Sequence, residues 1–474
     1  MKIKRIGVLV LMCCLVLVSK AQYNISIEIE NTKTDTLLMG YFWHGGTYAL
    51  DTAINKKNKF VFKDKTKKLE DGIYFFSNMD GRYCEFLIDS DQDIRFRTKD
   101  ENWIKNMEVK GSEKEKVYFE YLQKSDSLAG IYSKIVNGRE KIQKEEYDTK
   151  IKTLTEENDR LKQEFIKNNP NHLLTKILTC TQPLKMPKFD TIYKKDGSVD
   201  TLETQNRGFC WYKKHYFDNV DFSCGALLNT YKQVFMDYYN RYWDNVMKYE
   251  KADSILYYAS YWIDKATDKK MFEFLVRDIT TRYLQSGVMG HDKVYVGMVE
   301  KYLKTGKYTA LSPSDMQANI ERADKWKNLL IGQTVPDIAC PEGGEETPWH
   351  HLGELENKYK ILVFWSIDCG HCTTEIPHLN DFYKEYGKTY NIGIFAVHTE
   401  GEIENRDEFL KKNDIHWVSV NGLFANLDWR EYFDIEKTPV VYVLDKKNKI
   451  LAKNIPIDNL KKVFEVLENG GFDL

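Results

Sequence analysis

Two cysteines separated by two residues form the segment Cys369-Gly-His-Cys372. The apolar run at residues 361–365 precedes them and is typical of a buried strand, and a helical pattern begins at the cysteines. A dithiol at a strand-to-helix junction can cycle between thiol and disulfide forms, because the partial positive charge of the helix N-terminus favours a thiolate. We therefore expect Cys369 to be the nucleophile and Cys372 the resolving thiol.

Two charged neighbours act on the first thiol in opposite directions. His371, as an imidazolium between the cysteines, would stabilise the Cys369 thiolate and make the disulfide more oxidising. Asp368, directly before Cys369, would oppose thiolate formation. The sequence does not decide which effect is larger.

A metal site is the alternative use of these residues. His371 and His378 lie close to the cysteines, but no second C-x-x-C or H-x-x-H completes four zinc ligands. A C-x-x-C beside a β-α-β pattern favours redox chemistry over zinc or a static disulfide. We expect neither a metal nor another cofactor.

The first residues have the pattern of a secretory signal. Residues 1–5 are basic, residues 6–18 are apolar, and Ser19-Lys-Ala21 is a small-x-small cleavage site. The apolar stretch is shorter than the roughly 20 residues of a membrane span. We therefore expect a signal peptide at residues 1–21 and export to the periplasm or cell envelope, with a retained anchor as the alternative.

Charge and cysteine usage narrow the class of protein further. The 474-residue chain has a formal net charge of −2, and loss of the four basic residues in the signal leaves −6, which gives no electrostatic reason to bind nucleic acid. Outside the signal and the C-x-x-C, the cysteines are odd in number and irregularly spaced, so we expect small buried side chains and no disulfide framework. A Cys210–Cys224 bridge stays open, because the compartment is oxidising.

Three domains are expected from the change in periodicity along the chain. Residues 22–111 alternate apolar and polar residues between turn signals, which predicts an antiparallel β-sandwich-like domain. Residues 112–328 show helical spacing and predict an all-α domain, beginning with a capping box at Ser112 and Glu115. Residues 329–474 alternate strands and helices, which predicts an α/β fold with a mixed sheet.

Residues 329–474 resemble the TlpA/ResA-like thioredoxin family of the bacterial envelope. The resemblance is carried by Gly332-Gln-Thr-Val-Pro-Asp337, by Cys-x-x-Cys-x-x-Glu-x-Pro at residues 369–377, and by the Thr-Pro segment at residues 433–445. It implies a thioredoxin fold and thiol–disulfide oxidoreductase activity. Phe86-Leu-Ile-Asp89 and His215-Tyr-Phe-Asp-Asn-Val-Asp-Phe-Ser223 carry a second resemblance, to the β and helical domains that precede such modules in exported proteins of Gram-negative bacteria.

The resemblance also assigns roles to residues. It implies a cis peptide bond at Thr438-Pro439, which exposes the Thr438 backbone for strand-like pairing with a substrate segment. Val363 occupies the place of the buried aspartate of thioredoxins, so the family motif makes Glu375 the proton acceptor for Cys372; a solvated helix residue is the alternative for Glu375. The expected catalytic residues are Cys369, Cys372, Glu375 and Pro439, and those expected to tune the redox properties are Trp365, Asp368, Gly370, His371 and Thr438.

Three functions are weighed on these grounds. The first is disulfide exchange with envelope protein thiols and disulfides, with a membrane electron donor as a further partner; the resemblance favours a reductase, and His371 keeps an oxidase or isomerase open. The second is an envelope interaction protein with a vestigial dithiol. The third, a peroxiredoxin-type peroxidase, requires a Pro-x-x-x-Thr-x-x-Cys pattern that residues 361–372 lack.

Overall fold

The computed structural model describes residues 22–78, 80–139 and 143–472. The predicted signal peptide lies outside the described residues. The chain divides into two compact units, Met1–Asp244 and Asn245–Leu474. The three-domain division expected from the sequence stays a prediction, and each unit is described by itself.

The first unit begins with two four-stranded sheets, ordered β4-β1-β7-β8 and β3-β2-β5-β6. Neighbouring strands are antiparallel except β1 and β7, which are parallel. The strands are β1 Tyr23–Glu30, β2 Thr36–Trp43, β3 Gly46–Ile54, β4 Lys59–Asp64, β5 Gly72–Ser77, β6 Tyr83–Ile88, β7 Asp93–Lys99 and β8 Glu108–Lys110.

Aromatic side chains join the two sheets face to face. The ring of Phe76 in β5 lies 5.7 Å from that of Phe62 in β4 and 5.5 Å from that of Phe96 in β7. All three side chains are buried, because alternate residues of a strand point to the same face. The β-sandwich expected from the alternating pattern is confirmed.

Helices complete the first unit. Ser112 caps the first helix by accepting a hydrogen bond from the Glu115 N–H at 3.1 Å. The Glu115 carboxylate does not complete the expected capping box; it accepts from the Leu87 N–H, at 3.0 Å for the nearer oxygen. The helices are α1 Glu113–Asn137, α2 Lys144–Asn168, α3 Leu173–Cys180, α4 Thr201–His215, a 3₁₀ turn Gly225–Asn229, α5 Met236–Arg241 and a π-helical turn Tyr242–Val246.

The second unit opens with helices where helical spacing predicts them, over residues 252–286 and 292–304. The span 252–286, expected to be helical, contains two helices separated by the turn at residues 264–268, and the span 292–304 ends in a π-helical turn. The elements are α6 Ala252–Ile263, α7 Lys269–Leu284, α8 Asp292–Met298, the turn Val299–Leu303 and α9 Pro313–Lys327.

The rest of the second unit is a mixed five-stranded sheet flanked by helices, as expected for a thioredoxin-like domain. The order is β13-β12-β11-β14-β15, with β11 parallel to β12 and antiparallel to β14. Strand β13, which the sequence did not predict, lies at one edge. The elements are β9 Ala339–Pro341, β10 Trp349–His351, β11 Tyr359–Trp365, α10 Gly370–Tyr386, β12 Ile392–His398, α11 Ile403–Lys412, β13 Val418–Asn421, α12 Trp429–Phe433, β14 Val440–Asp445, β15 Ile450–Lys453 and α13 Leu460–Glu468.

No helix among the described residues is long and apolar enough to cross a bilayer.

The two apolar cores on the faces of this sheet predict that residues 329–474 fold alone. Among the described residues, both clusters are built from residues 329–472, and only Met289, in the turn before α8, packs on one of them from the preceding part of the chain. A fragment of residues 329–474 is expected to unfold cooperatively in denaturant and to reduce a small disulfide about as fast as the full chain. A fragment that folds but is inert, beside an active full chain, would make the preceding helices part of the active site.

Candidate active site

Strand β11 and helix α10 position the dithiol. Between them, the Ser366 hydroxyl accepts a hydrogen bond from the Asp368 N–H at 3.0 Å and donates to the Glu400 carbonyl at 3.1 Å, which fixes the turn. Cys369 is the N-cap of α10, and its Sγ accepts from the Cys372 N–H at 3.4 Å. The first thiol therefore lies where the helix N-terminus stabilises negative charge.

Cys369 is partly exposed and surrounded by hydrogen-bonding groups. Its thiol donates to the Thr438 carbonyl, with the sulfur 3.4 Å from the oxygen. Burial acts to raise the pKa of Cys369, but hydrogen bonds from the Cys372 thiol and backbone, from the Thr438 side chain and from the His371 backbone outweigh it and hold that pKa below its ordinary value. A larger fraction of Cys369 is therefore thiolate near neutral pH.

Cys372 has the opposite environment. It is fully buried. Burial is the largest cause that raises its pKa to about 11, and the neighbouring Cys369 adds to the rise. An accessible thiol of lowered pKa followed by a buried thiol of raised pKa is the arrangement that a nucleophile and a resolving thiol require.

The two pKa values predict an ordered reaction with iodoacetamide. Only the thiolate is alkylated, so Cys369 of the reduced protein is expected to react with a pH midpoint below the ordinary pKa of a cysteine thiol. Cys372 is expected to stay unmodified until the pH approaches its pKa of about 11. Peptide mass spectrometry across a pH series measures both, and preferential labelling of Cys372 would contradict the assignment.

The remaining predicted residues occupy different positions around the dithiol. Trp365 is fully buried, whereas Asp368, Gly370 and His371 are exposed. The Thr438-Pro439 peptide bond is cis, as the resemblance implied. The structure thus brings Cys369, Cys372 and the Thr438-Pro439 segment together, and the roles of all these residues stay proposals.

Glu375 lies one turn after Cys372 in α10 and is partly buried. Within the described residues, no hydrogen bond or ion pair joins its carboxylate to either cysteine. Val363, at the place of the usual buried aspartate, is fully buried and apolar. Glu375 is therefore near in sequence to the resolving thiol, and its part in proton transfer stays a proposal.

His398, at the end of β12, belongs to the site although the sequence did not single it out. Its Nε2 accepts a hydrogen bond from the Ile367 N–H at 3.4 Å, and its ring lies 5.4 Å from that of Trp365. Burial first, and then the Arg406 charge, lowers the pKa of His398 to about 4. The imidazole is thus neutral at ordinary pH and able to accept from the turn that carries Cys369. The position of this histidine directly after a predicted strand was the sequence signal that could have identified it.

The other cysteines form no disulfide and no metal site among the described residues. All seven cysteines among the described residues are free thiols, including Cys210 and Cys224. Cys84, Cys180 and Cys340 are buried, as expected of small apolar side chains, and Cys210 is exposed. The described part of the chain holds no group of three or more His, Cys, Asp or Glu side chains able to bind a metal.

Family models match both ends of the chain. Residues 331–453 match the AhpC/TSA family, and residues 23–118 match a domain of unknown function, DUF4369. The first match contains the dithiol and the Thr438-Pro439 segment. The second covers the β-sandwich.

Known proteins match part of the chain. A thioredoxin-like protein of Haemophilus influenzae is 34% identical over 94 residues, which are 19% of this chain and 51% of that protein, so the chain spans about half its length. The thiol-disulfide oxidoreductase YkuV of Bacillus subtilis is 26% identical over 26% of this chain and 83% of its own. The crystal structure of a domain of a possible thiol-disulfide isomerase from Cytophaga hutchinsonii is 31% identical, with a TM-score of 0.27, over 30% of this chain and 94% of that one.

Proposed function

We propose that this chain, whose C-terminal domain is a thioredoxin-like domain of the TlpA type, is an exported thiol–disulfide oxidoreductase of the cell envelope. Its Cys369-Gly-His-Cys372 dithiol exchanges with the disulfides of envelope proteins. The observation that carries the proposal is the contrast between a partly exposed Cys369 of lowered pKa and a fully buried Cys372 of raised pKa.

The exchange proceeds in two steps. The Cys369 thiolate attacks one sulfur of a partner disulfide and forms a mixed disulfide, while the other partner sulfur leaves as a thiolate and takes up a proton. Cys372 then loses its proton and attacks Cys369 Sγ, which releases the second partner thiol and leaves the Cys369–Cys372 disulfide. The partner gains two electrons and the dithiol loses two, so a separate electron donor must reduce the protein again.

The direction of exchange we propose is reduction of the partner. Export rests on the signal pattern at residues 1–21, and a membrane electron donor would supply the electrons. Thr438 and the cis Pro439 lie beside Cys369, where the Thr438 backbone would pair with the substrate segment next to its disulfide. His371 favours the opposite direction, oxidation or isomerisation, so the reduction potential separates the candidates.

Two measurements test the proposal. The reduced protein is expected to reduce insulin disulfides, and the Cys369–Cys372 couple is expected to have a reduction potential near that of thioredoxin, about −270 mV. A potential near about −120 mV would identify an oxidant and overturn the reductase direction. A reduced protein that leaves insulin intact would support an interaction protein with a vestigial dithiol.

Glu375 is proposed to accept the Cys372 proton, since Val363 supplies no acid. Glu375→Gln is expected to leave the fold intact but to change the pH dependence of insulin reduction, because the amide of glutamine cannot accept the Cys372 proton. Glu385→Gln, on the exposed last turn of the same helix, is the matched control. Identical profiles for both variants and the wild type would make Glu375 an ordinary solvated residue.

A further inference from the structure

Helix α9 precedes the family-matched residues 331–453 and contacts the loop that leads into the active-site proline. The Trp326 Nε1–H donates to an Asp434 carboxylate oxygen at 2.7 Å. The Arg322 guanidinium pairs with Glu436 at 2.8 Å. A third contact, 2.9 Å long, joins Lys325 to Glu431 in α12. These contacts hold residues 431–436, directly before Thr438.

The indole that makes the shortest of these contacts is itself held in place. Trp326 is partly buried, and its ring packs on that of Tyr295 in α8 at 5.1 Å. Tyr295 is fully buried, and its hydroxyl donates to the Asn319 side chain at 3.0 Å. The donor to Asp434 is therefore a fixed group and not a mobile surface side chain.

Asp434 is the point at which the chain leaves α12 and turns toward the active site. It is the C-cap residue of α12, with left-handed backbone angles of φ 50° and ψ 49°. Four residues later, the Thr438 carbonyl accepts the hydrogen bond of the Cys369 thiol. The direction taken at Asp434 thus determines where the Thr438 backbone faces.

A cleft lies beside the same loop. Its volume is about 620 Å³, and its walls include Gly287, Met289, Arg322, Asp434, Lys437 and Val440. One wall is thus the loop around the cis proline, and the other belongs to the helices before the thioredoxin-like domain. The cleft thus borders the Thr438-Pro439 bond on both sides in sequence, at Lys437 and at Val440.

We infer that Trp326 and Arg322 are positioning residues for substrate polypeptides: they hold residues 434–438 so that the Thr438 backbone pairs with the segment flanking the target disulfide. The inference rests on the proposed function. It predicts a selective effect, because attack on a small disulfide needs only the Cys369 thiolate, whereas attack on a protein disulfide also needs the paired backbone.

The test compares two disulfides in the full chain. Second-order rate constants for oxidation of the reduced protein are measured with insulin and with uncharged 2-hydroxyethyl disulfide, by alkylation quench and mass spectrometry. Trp326→Phe keeps an aromatic ring at this position but removes the indole N–H that donates to the Asp434 carboxylate. It is expected to slow the insulin reaction about tenfold and the small-disulfide reaction by less than about twofold. Trp349→Phe, at an exposed tryptophan of β10, is the matched control and is expected to change neither rate.

The Arg322–Glu436 ion pair permits a charge-swap rescue, in which the insulin rate is compared with the small-disulfide rate. Arg322→Glu places like charges opposite each other and is expected to slow the insulin reaction about threefold. Adding Glu436→Arg restores opposite charges and is expected to restore the rate, an effect of the size typical of partly exposed pairs.

Equal losses with both disulfides, no loss in Trp326→Phe, or no rescue in the charge-swapped variant would overturn the inference. A wild-type protein that reacts with neither disulfide would instead overturn the proposed function. The charge variants change partly exposed side chains, so they test the inference even if Trp326→Phe is poorly folded.

Discussion

The Cys369→Ser variant is expected to lose insulin reduction, with a rate lowered by more than about a thousandfold, since a hydroxyl cannot replace the thiolate nucleophile. The geometry explains why Cys372 will not substitute. Cys372 is fully buried and its pKa is raised to about 11, so near neutral pH it is both inaccessible and protonated. Insulin turbidity with dithiothreitol as the electron source measures the loss.

The Cys372→Ser variant is expected to stop at the mixed disulfide with the partner protein. Cys369 still attacks the partner, but no second thiol resolves the bond, so mixed disulfides accumulate. Non-reducing electrophoresis after acid quenching detects them in Cys372→Ser and not in Cys369→Ser. Cys340→Ser, a buried free thiol of the same domain, is the control and should behave as wild type. Equal trapping by both single variants, or trapping only by Cys369→Ser, would reverse the assigned roles.

The main architecture was predictable because its signals are local. Period-two alternation before Ser112 and the strand–helix alternation after residue 331 follow from which faces are buried. The helices at residues 252–286 were predicted, but the turn at 264–268 that separates α6 from α7 was not, because the apolar spacing continues across it. Strand β13 was missed since it is short, Val418–Asn421, and lies at a sheet edge.

The candidate site likewise contains residues that local sequence motifs locate and residues that only the fold brings to it. The C-x-x-C and the Thr-Pro segment are contiguous motifs, so the sequence locates them. His398 and the α9 residues act through contacts between distant parts of the chain; Trp326 and Asp434 are 108 residues apart. No local pattern distinguishes such a tryptophan from one that only packs. Glu115 shows the reverse case: a correct capping-box spacing whose carboxylate instead bonds to the Leu87 backbone.

The Asp292→Ala variant is expected to lower the free energy of unfolding of the second unit by about 3–5 kcal/mol, the usual cost of leaving a buried charge, here that of Lys453, without its partner. Asp292 at the start of α8 forms an ion pair with Lys453 at the end of β15, and their side chains are only 13% and 8% exposed. Lysine is rarely so buried unless it is paired. Urea unfolding followed by tryptophan fluorescence measures the change.

Replacing both partners distinguishes a lost ion pair from lost packing. The double variant Asp292→Leu/Lys453→Met leaves no charge buried at this contact and nearly keeps the side-chain volume. Its free energy of unfolding is therefore expected to lie within about 1 kcal/mol of the wild-type value. Lys453→Met alone leaves the Asp292 carboxylate without its partner and should be destabilised like Asp292→Ala. If each single variant cost less than about 1 kcal/mol, water would be reaching the pair, and the pair would not join α8 to the sheet. If the double variant were as unstable as the singles, packing would be the cause. The expected recovery would show that the stability of the thioredoxin-like sheet depends on the charge balance at its contact with the preceding helices.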